Sequence, residues 1–410
     1  MIAIAVLGHG VVGSGVVEVL EKNRESISRK AGNDIYVKKI LDLRDFADLP
    51  YRDKFTKNYD DILTDPEIEV VVEVMGGLNP AYEYVSGALK ASKSVVTSNK
   101  ELVAAKGAEL LSLAAKMNRN FLFEASVGGG IPIIRPLHQC LAANQIDEIV
   151  GILNGTTNFI LTKMIREGMD FARALEMAQE LGYAEKDPAA DVEGHDTCRK
   201  ICILASLAFG RHVYPENVRT KGITQITLED VRYAESIGRV IKLIGQTRMV
   251  DGKCVAAVEP ALISRESPLA GVEDVFNAIL VRGDATGDVV FYGKGAGKLP
   301  TASAVVSDII DCVTAEGTIT SLHWSDSDDD NIADIREQPT ARYIRCKGKD
   351  AQSVSERIFG EITPLHRAGK PADELAFITP VMSGHKQKEK LCELKMQGFE
   401  ILGSIQVWEP

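Results

Sequence analysis

The chain has 410 residues, too long for one ordinary domain, and its 45% hydrophobic and 26% charged content is that of a well-cored globular protein. A formal net charge of −11 disfavours nucleic-acid backbones and anionic membrane surfaces as partners. Seven scattered cysteines without a CxxC pair fit free thiols in a reducing cytoplasm, and neither a signal peptide nor an apolar run of roughly 18 residues is present.

From Met1 to about Arg135 short β-branched runs alternate with helical stretches. Strands are predicted at Ile2–Leu7, Tyr36–Leu41, Val70–Met75, Ser94–Thr97 and Phe121–Ala125, with helices from the first glycine loop to about Glu25 and over Ala81–Ala91 and Glu101–Asn118. Continuous apolar runs, not in–out alternation, imply a parallel sheet covered on both faces by crossover helices. Asn79-Pro80 reads as an N-cap followed by a first-turn proline.

Beyond Gly130 a mixed sheet with helices is predicted. Ile149–Leu153 feeds a helix from Thr157 to about Glu167, Asp170 caps another that Gly182 stops, and Asp191–Ala208 is a third. Thr227-x-x-Asp230 resembles a capping box opening a helix to about Gly245, and Asn277–Val281 with Val289–Tyr292 reads as a hairpin. Helix Thr301–Ala315 returns to the first domain. Residues 325–338 form an acidic linker. Within it Asp326, Asp328, Asp330 and Glu337 fall at calcium-loop positions, but Asn331 stands where that loop needs glycine, which favours a solvated linker. Strand (Arg342–Cys346), helix (Ser353–Phe359), strands, helix (Gln387–Gln397) and strand (Glu400–Gln406) complete a βαββαβ module. The domains expected are 1–135 with helix 300–318 returning to it, 136–299, and 339–410 beyond the linker.

Gly8-His-Gly10-Val11-Val12-Gly13 follows the first strand and opens a helix, as a Rossmann dinucleotide site requires. Gly8 permits the tight turn, Gly10 the approach of a pyrophosphate, Gly13 close helix–sheet packing, and the helix N-terminus supplies amides. After the second strand Asp42 suits a ribose diol whereas Arg44 suits a 2′-phosphate, so NAD and NADP both stay open. Thr97-Ser98-Asn-Lys100 ends a strand at its carboxyl end, where the ligand crevice of such a sheet lies. Asp196 and Lys200 are four apart on an apolar helix. Their pattern fits a partly buried site or a surface ion pair equally well.

Glu185-x-Asp-Pro-x-x-Asp191-x-x-Gly-x-Asp196-x-x-x-Lys200, Gly151-Ile-Leu-Asn-Gly-Thr-Thr-Asn158, Thr97-Ser-Asn-Lys100, Glu124-Ala-Ser-Val-Gly-Gly-Gly-Ile-Pro132 and Gly295-Ala-Gly-x-x-Pro-Thr-Ala302 together resemble homoserine dehydrogenases over about residues 1–320. The resemblance implies reversible reduction of L-aspartate 4-semialdehyde to L-homoserine by NAD(P)H, in threonine, methionine and isoleucine biosynthesis. It assigns acid/base work to Lys200, with Lys100 alongside and Asp191 orienting, and substrate binding to Glu185, Asp196 and the Gly155-Thr156 backbone. Gly297 joins the glycine loop, Arg44, Thr97, Ser98 and Lys100 at the cofactor. A structural sodium ion is implied at Glu124, Val127, Gly129 and Ile131. The family's quaternary habit implies a homodimer through the middle domain, doubled to a tetramer by the C-terminal modules.

The C-terminal module resembles an ACT domain, the ferredoxin-like unit that binds L-threonine as effector in such enzymes. Its expected Asp-x-Pro-Gly loop is here Lys347-Gly-Lys-Asp350-Ala-Gln, which leaves threonine control open. Two other classes are weighed. A phosphorylating semialdehyde dehydrogenase needs a thiolate, and Cys140, the nearest candidate, has no evident activating base. A non-catalytic amino-acid sensor has no use for Lys100, Lys200 and Glu185.

Overall fold

The computed structural model describes residues 1–314, 322–327 and 331–409. The amino-terminal part is a six-stranded sheet of β1 (Ile2–Leu7), β2 (Ile35–Leu41), β3 (Phe55–Thr56), β4 (Ile68–Glu73), β5 (Ser94–Thr97) and β6 (Phe121–Leu122), in the order β3-β2-β1-β4-β5-β6. Every pairing is parallel. Its central strand β1 is buried at all six positions, which is why the sequence shows an unbroken apolar run there. Helices α1 (Val11–Lys22), α2 (Arg24–Ala31), α3 (Asp60–Leu63), α4 (Ala81–Lys90) and α5 (Lys100–Lys116) make the connections.

Three details depart from the sequence reading. The first helical stretch breaks at Asn23 into α1 and α2. Phe121–Ala125 is strand only to Leu122, because Glu124–Ser126 turns as a 3₁₀ helix. The Asn79–Pro80 peptide is cis and Pro80 itself sits at the N-cap of α4, so Asn79 does not cap it.

The middle of the chain supplies β7 (Ile146–Ile152), α6 (Gly155–Glu167), α7 (Phe171–Glu180), α8 (Ala189–Val192), α9 (His195–Phe209), β8 (Arg219–Thr220), α10 (Leu228–Ser236), β9 (Arg239–Val250), β10 (Lys253–Ser264), β11 (Phe276–Gly283) and β12 (Gly287–Lys294). Gly194, at φ +88, splits the expected Asp191–Ala208 helix into α8 and α9. The Thr227–Asp230 capping box is present. The helix it opens ends at Ser236, however, and after Gly238 (φ +68) the chain runs as the long strand β9 instead of continuing helical to Gly245. Helix α9 packs across β7, β9 and β10. Helix α11 (Lys298–Thr314) then returns to lie against α1, where a Cβ on Gly15 would sit 2.8 Å from the Lys298 carbonyl.

The last part runs β13 (Pro339–Lys347), α12 (Ala351–Phe359), β14 (Thr363–Leu365), β15 (Glu374–Ile378), the short β16 (Met382–Ser383), α13 (Gly384–Met396) and β17 (Glu400–Trp408). Its main strands order as β17-β13-β15-β14, all antiparallel, so the βαββαβ expectation describes the observed path apart from the inserted β16. Strand β17 also pairs in parallel with β10, through Ala261–Ile263 and Gln406–Trp408, giving one 11-stranded sheet in the order β12-β11-β7-β9-β10-β17-β13-β15-β14 with β8 and β16 at its side. Of the calcium-loop positions, Asp328 and Asp330 lie outside the described residues, as do the last residues of the 300–318 helix. Among the described residues no group of three or more His, Cys, Asp or Glu could hold a metal, and no helix is long and apolar enough to cross a membrane.

A buried ion cluster fastens the last part to the middle one. Arg345 donates to Asp230 at 2.9 Å and reaches Glu374 at 3.3 Å, Tyr343 donates to Asp230, and Tyr233 and Arg367 donate to Glu374. The side chains of Arg345, Asp230 and Glu374 are 7%, 1% and 5% exposed. Deleting one partner of such a cluster strands buried charge at a cost of about 3–5 kcal/mol. Arg345→Met should therefore lower the unfolding free energy in urea by about that amount; an unchanged urea midpoint would show that the cluster does not hold the two parts together.

Candidate active site

Three helix starts converge on one buried carboxylate. Asn99 caps α5 by accepting from Leu102 N–H, which places Lys100 at the first helical position. Asn154 caps α6 by accepting from Thr157 N–H. Gly194 ends α8 and starts α9, which puts Asp196 in the first turn of α9 and Lys200 one turn further. Lys200 Nζ donates to Asp196 Oδ2 at 2.8 Å and to the Leu153 carbonyl at 2.7 Å. Lys100 Nζ lies 2.7 Å from Asp196 Oδ1, so the carboxylate bridges two ammonium groups from two parts of the molecule. The Asn154 side-chain amide donates to Asp191 Oδ1 at 2.7 Å and to Asp196 Oδ2 at 3.0 Å, which brings the fourth charged group into the cluster.

The two lysines are electrostatically unlike. Burial would depress Lys100, but the charge and hydrogen bond of Asp196 outweigh it and hold its ammonium above the ordinary lysine range. Lys200 is pulled below that range, first by burial and then by the positive charge of Lys100, with Asp196 only partly opposing. Burial alone would raise Asp196, yet the two ammonium groups hold it well below the usual carboxylate range. Asp191 is pushed up by burial. A lysine whose neutral form is brought within reach beside a permanently charged neighbour suits proton transfer.

A polar chain ties the helices that carry these lysines. His212, just past α9, donates from Nε2 to the carbonyl of Ala104 in the first turns of α5 at 2.8 Å, and its Nδ1 accepts from Trp324 Nε1 at 2.9 Å. Trp324 in turn packs so tightly on α5 that a Cβ on Gly107 would lie 2.5 Å from its ring. Burial depresses the His212 pKa, consistent with the neutral tautomer these two bonds require.

The glycine loop is built for a close approach. Gly8 holds φ +97, and a Cβ on Gly13 would sit 2.0 Å from the Gly8 carbonyl, whereas one on Gly10 would meet nothing within 4 Å. Helix α1 opens at Val11, whose side chain is 67% exposed beside the loop and Val12. The neighbouring strand end is pinned by Glu73, which sequence reading overlooked. Its buried carboxylate accepts from Met75 and Gly76 N–H and from the Thr97 hydroxyl at 2.6 Å, while Ser98 N–H donates to the Glu73 main-chain carbonyl. Gly297 adopts φ +126 at the entry to α11.

At the end of β2 both acid and base are in use. Asp42 accepts from His9 N–H at 2.8 Å and from Arg44 Nη2 at 2.8 Å, its side chain 8% exposed while Arg44's is 62% exposed. A cavity of about 430 Å³ beside them is lined by Asp42, Arg44, Asp45, Arg52, Lys57 and the Phe46 ring. Arg44 pairs with Asp42 and Lys57 with Asp45 at 2.7 Å, so three cations face two acids and the lining carries a single net positive charge.

Other expected residues fall differently. Glu185 is exposed and makes no hydrogen bond to the lysine–aspartate cluster; Gln179 donates to its main-chain carbonyl. The Thr156 hydroxyl donates to the Tyr183 carbonyl, and Gly155 is pressed against Val275, where a Cβ would come within 2.9 Å of the carbonyl. Glu124 accepts from the N–H groups of Ile133, Ile134 and Arg135, so its carboxylate anchors the turn entering the next helix. Val127 and Ile131 are buried nearby, and Gly129 lies under the Gly295 carbonyl. Cys140 is an exposed free thiol.

Comparison with known proteins bears on the family and the fold. Residues 8–124 match the family model described as "Homoserine dehydrogenase, NAD binding domain", and residues 132–310 match "Homoserine dehydrogenase". A homoserine dehydrogenase of Bacillus subtilis is 44% identical over 314 residues, covering 75% of this chain and 72% of that protein. The crystal structure of a homoserine dehydrogenase from Thiobacillus denitrificans superposes with a TM-score of 0.89 at 37% identity, covering 100% of this chain and 98% of that one. A hyperthermophilic archaeal homoserine dehydrogenase in complex with NADPH aligns with a TM-score of 0.65 at 31% identity, over 76% of this chain and 97% of that one.

Proposed function

The chain belongs to the homoserine dehydrogenase family, and from that premise we propose how its own residues carry the interconversion of L-homoserine and L-aspartate 4-semialdehyde. The observation that carries the reading is the Lys100–Asp196–Lys200 bridge, which offers one depressed and one elevated ammonium side by side. Bound nicotinamide supplies the hydride in reduction and takes it back in oxidation. As charge builds on the aldehyde oxygen, Lys200 donates its proton from Nζ; in oxidation the neutral amine accepts the hydroxyl proton. Lys100 keeps its charge throughout and stabilises the developing alkoxide. Asp191, held by Asn154, orients the cluster. Asp196 and the helix start at Gly155-Thr156 position the substrate's ammonium and carboxylate, with the exposed Glu185 loop closing over the ammonium.

The cofactor fits along the glycine loop from Gly8 to Gly13, past Thr97, Ser98 and Lys100, to Gly297. The exposed Arg44 guanidinium, with Arg52 at the same cavity, favours NADP over NAD. The NADPH-bound archaeal relative supports that choice. A sodium ion among the main-chain oxygens of Val127, Gly129 and Ile131 is consistent with two buried carboxylates nearby: Glu124, which accepts from main-chain N–H groups, and Asp308, which shares the Arg135 guanidinium with Asp311. The C-terminal part is read as an ACT-like module responding to L-threonine, supported by its βαββαβ path. A homodimer through the middle sheet is favoured by Val290 and Tyr292, apolar and exposed on β12.

Homoserine oxidation followed at the nicotinamide absorbance tests the mechanism. Lys200→Met should lower turnover by about two or more orders of magnitude and leave NADPH affinity intact, while Glu185→Ala should chiefly raise the homoserine KM. Unchanged turnover in Lys200→Met would remove Lys200 from the acid/base role, and threonine added to parallel reactions reads the C-terminal module. Arg44→Ser should raise the KM for NADP about tenfold, the equivalent of one lost charge-assisted contact, and leave the KM for NAD nearly unchanged. Equal losses with both cofactors would refute the phosphate assignment.

A further inference from the structure

A cavity of about 810 Å³ opens between the middle part and the C-terminal part, and it shares no lining residue with the lysine–aspartate cluster. Arg219, Lys221 and Glu259 come from one wall, and Arg336, Arg342 and Lys388 from the other. Its acids are already spent. Glu259 accepts from Arg342 at 2.7 Å, and Asp334 accepts from Arg336 at 2.9 Å. Among the described residues Arg219, Lys221 and Lys388 form no ion pair, although Glu259 and Asp230 partly offset Lys221, so the lining keeps an excess of positive charge inside a chain whose formal charge is −11.

Placement adds to the imbalance. Lys221 donates to the Ser404 carbonyl at 2.8 Å, and burial, reinforced by Arg342 and Arg219 and only partly opposed by Glu259 and Asp230, depresses its pKa. Arg342 also donates to the Ser404 hydroxyl. Gln406, 3% exposed in the wall, accepts from Gln246 at 3.1 Å, yet its own side-chain N–H group has no partner among the described residues. Volumes of roughly 300–1,000 Å³ with a few convergent polar groups are those of small-molecule sites.

We propose that this cavity binds a small organic anion carrying two or more negative charges, gripped by Arg219 and Lys221 on one side and Lys388 on the other. Both walls belong to the same continuous sheet, joined where β17 pairs with β10, so the anion would clamp the C-terminal part onto the middle one. The chemistry fits a phosphorylated metabolite or a polycarboxylate.

Pyrophosphate and citrate serve as probes of the two sources. Each is titrated calorimetrically and by thermal shift into the full-length, NADPH-saturated protein at constant ionic strength. Saturable binding of either probe with a raised melting temperature is expected, the stronger probe identifying the source. The double variant Arg219→Ser/Lys388→Ser, both positions being exposed, should keep its melting temperature and its turnover without anion and should bind at least tenfold more weakly. Binding that survives in the double variant, or that disappears instead in Arg44→Ser, would overturn the proposal. So would no saturable binding of either probe.

Discussion

The Asp196 carboxylate is the constraint on which the rest depends. It is buried, and taking it out of water costs several kcal/mol that only well-placed cations offset. Two do so, Lys200 from one turn further along α9 and Lys100 from the start of α5. Because α5 belongs to the parallel sheet and α9 to the mixed one, the pair can form only when both parts are correctly docked. The His212–Ala104–Trp324 chain and the Trp324–Gly107 contact maintain that docking. A buried ionic cluster is poor evidence for stability, but it is what a site needs that must hold one ammonium charged and another near release.

The two sheets divide the labour. The parallel sheet ends its strands at the glycine loop and at Thr97, so that loop and Lys100 approach from one side. The mixed sheet carries α6 and α9 on one face, so Asn154, Asp196 and Lys200 approach from the other. Its extension through β17 into the C-terminal part makes that part mechanically continuous with the strands beneath α9.

Much of this was legible in the sequence wherever the signal was local. The glycine loop, Asn99 and Lys100 after β5, and the four-residue step from Asp196 to Lys200 are all short-range patterns that backbone geometry translates directly. Partners distant in sequence left no such trace. Asn154 reaches Asp191 and Asp196 across 37 and 42 residues, and His212 reaches Trp324 across 112. Glu73 was hidden in the run Val-Val-Val-Glu, though an acid ending a buried strand is a signal that could have found it. Strand β9 was misread because a genuine capping box preceded it. Its Val-Ile-Lys-Leu-Ile-Gly stretch has no in–out alternation, because Ile241 through Gly245 are all buried. Glu124 illustrates the converse: the motif was visible, but only the fold reveals three amide donors on its carboxylate.

The most direct test of the central claim is the pH dependence of semialdehyde reduction in wild type and Asp196→Asn. On the mechanism proposed above, reduction needs the charged form of Lys200, so the rate should fall as pH rises through its pKa, which burial and Lys100 already place below the ordinary lysine value while Asp196 resists. Removing that carboxylate takes away the anion that, among the described residues, is hydrogen-bonded to Lys200, leaving Lys100 to repel it and the more distant Asp191 to offset part of the loss. The alkaline limb should then move to lower pH, and the rise of homoserine oxidation should move with it. A limb that stays in place, or moves to higher pH, would contradict the assignment of Asp196 as the group that keeps Lys200 charged.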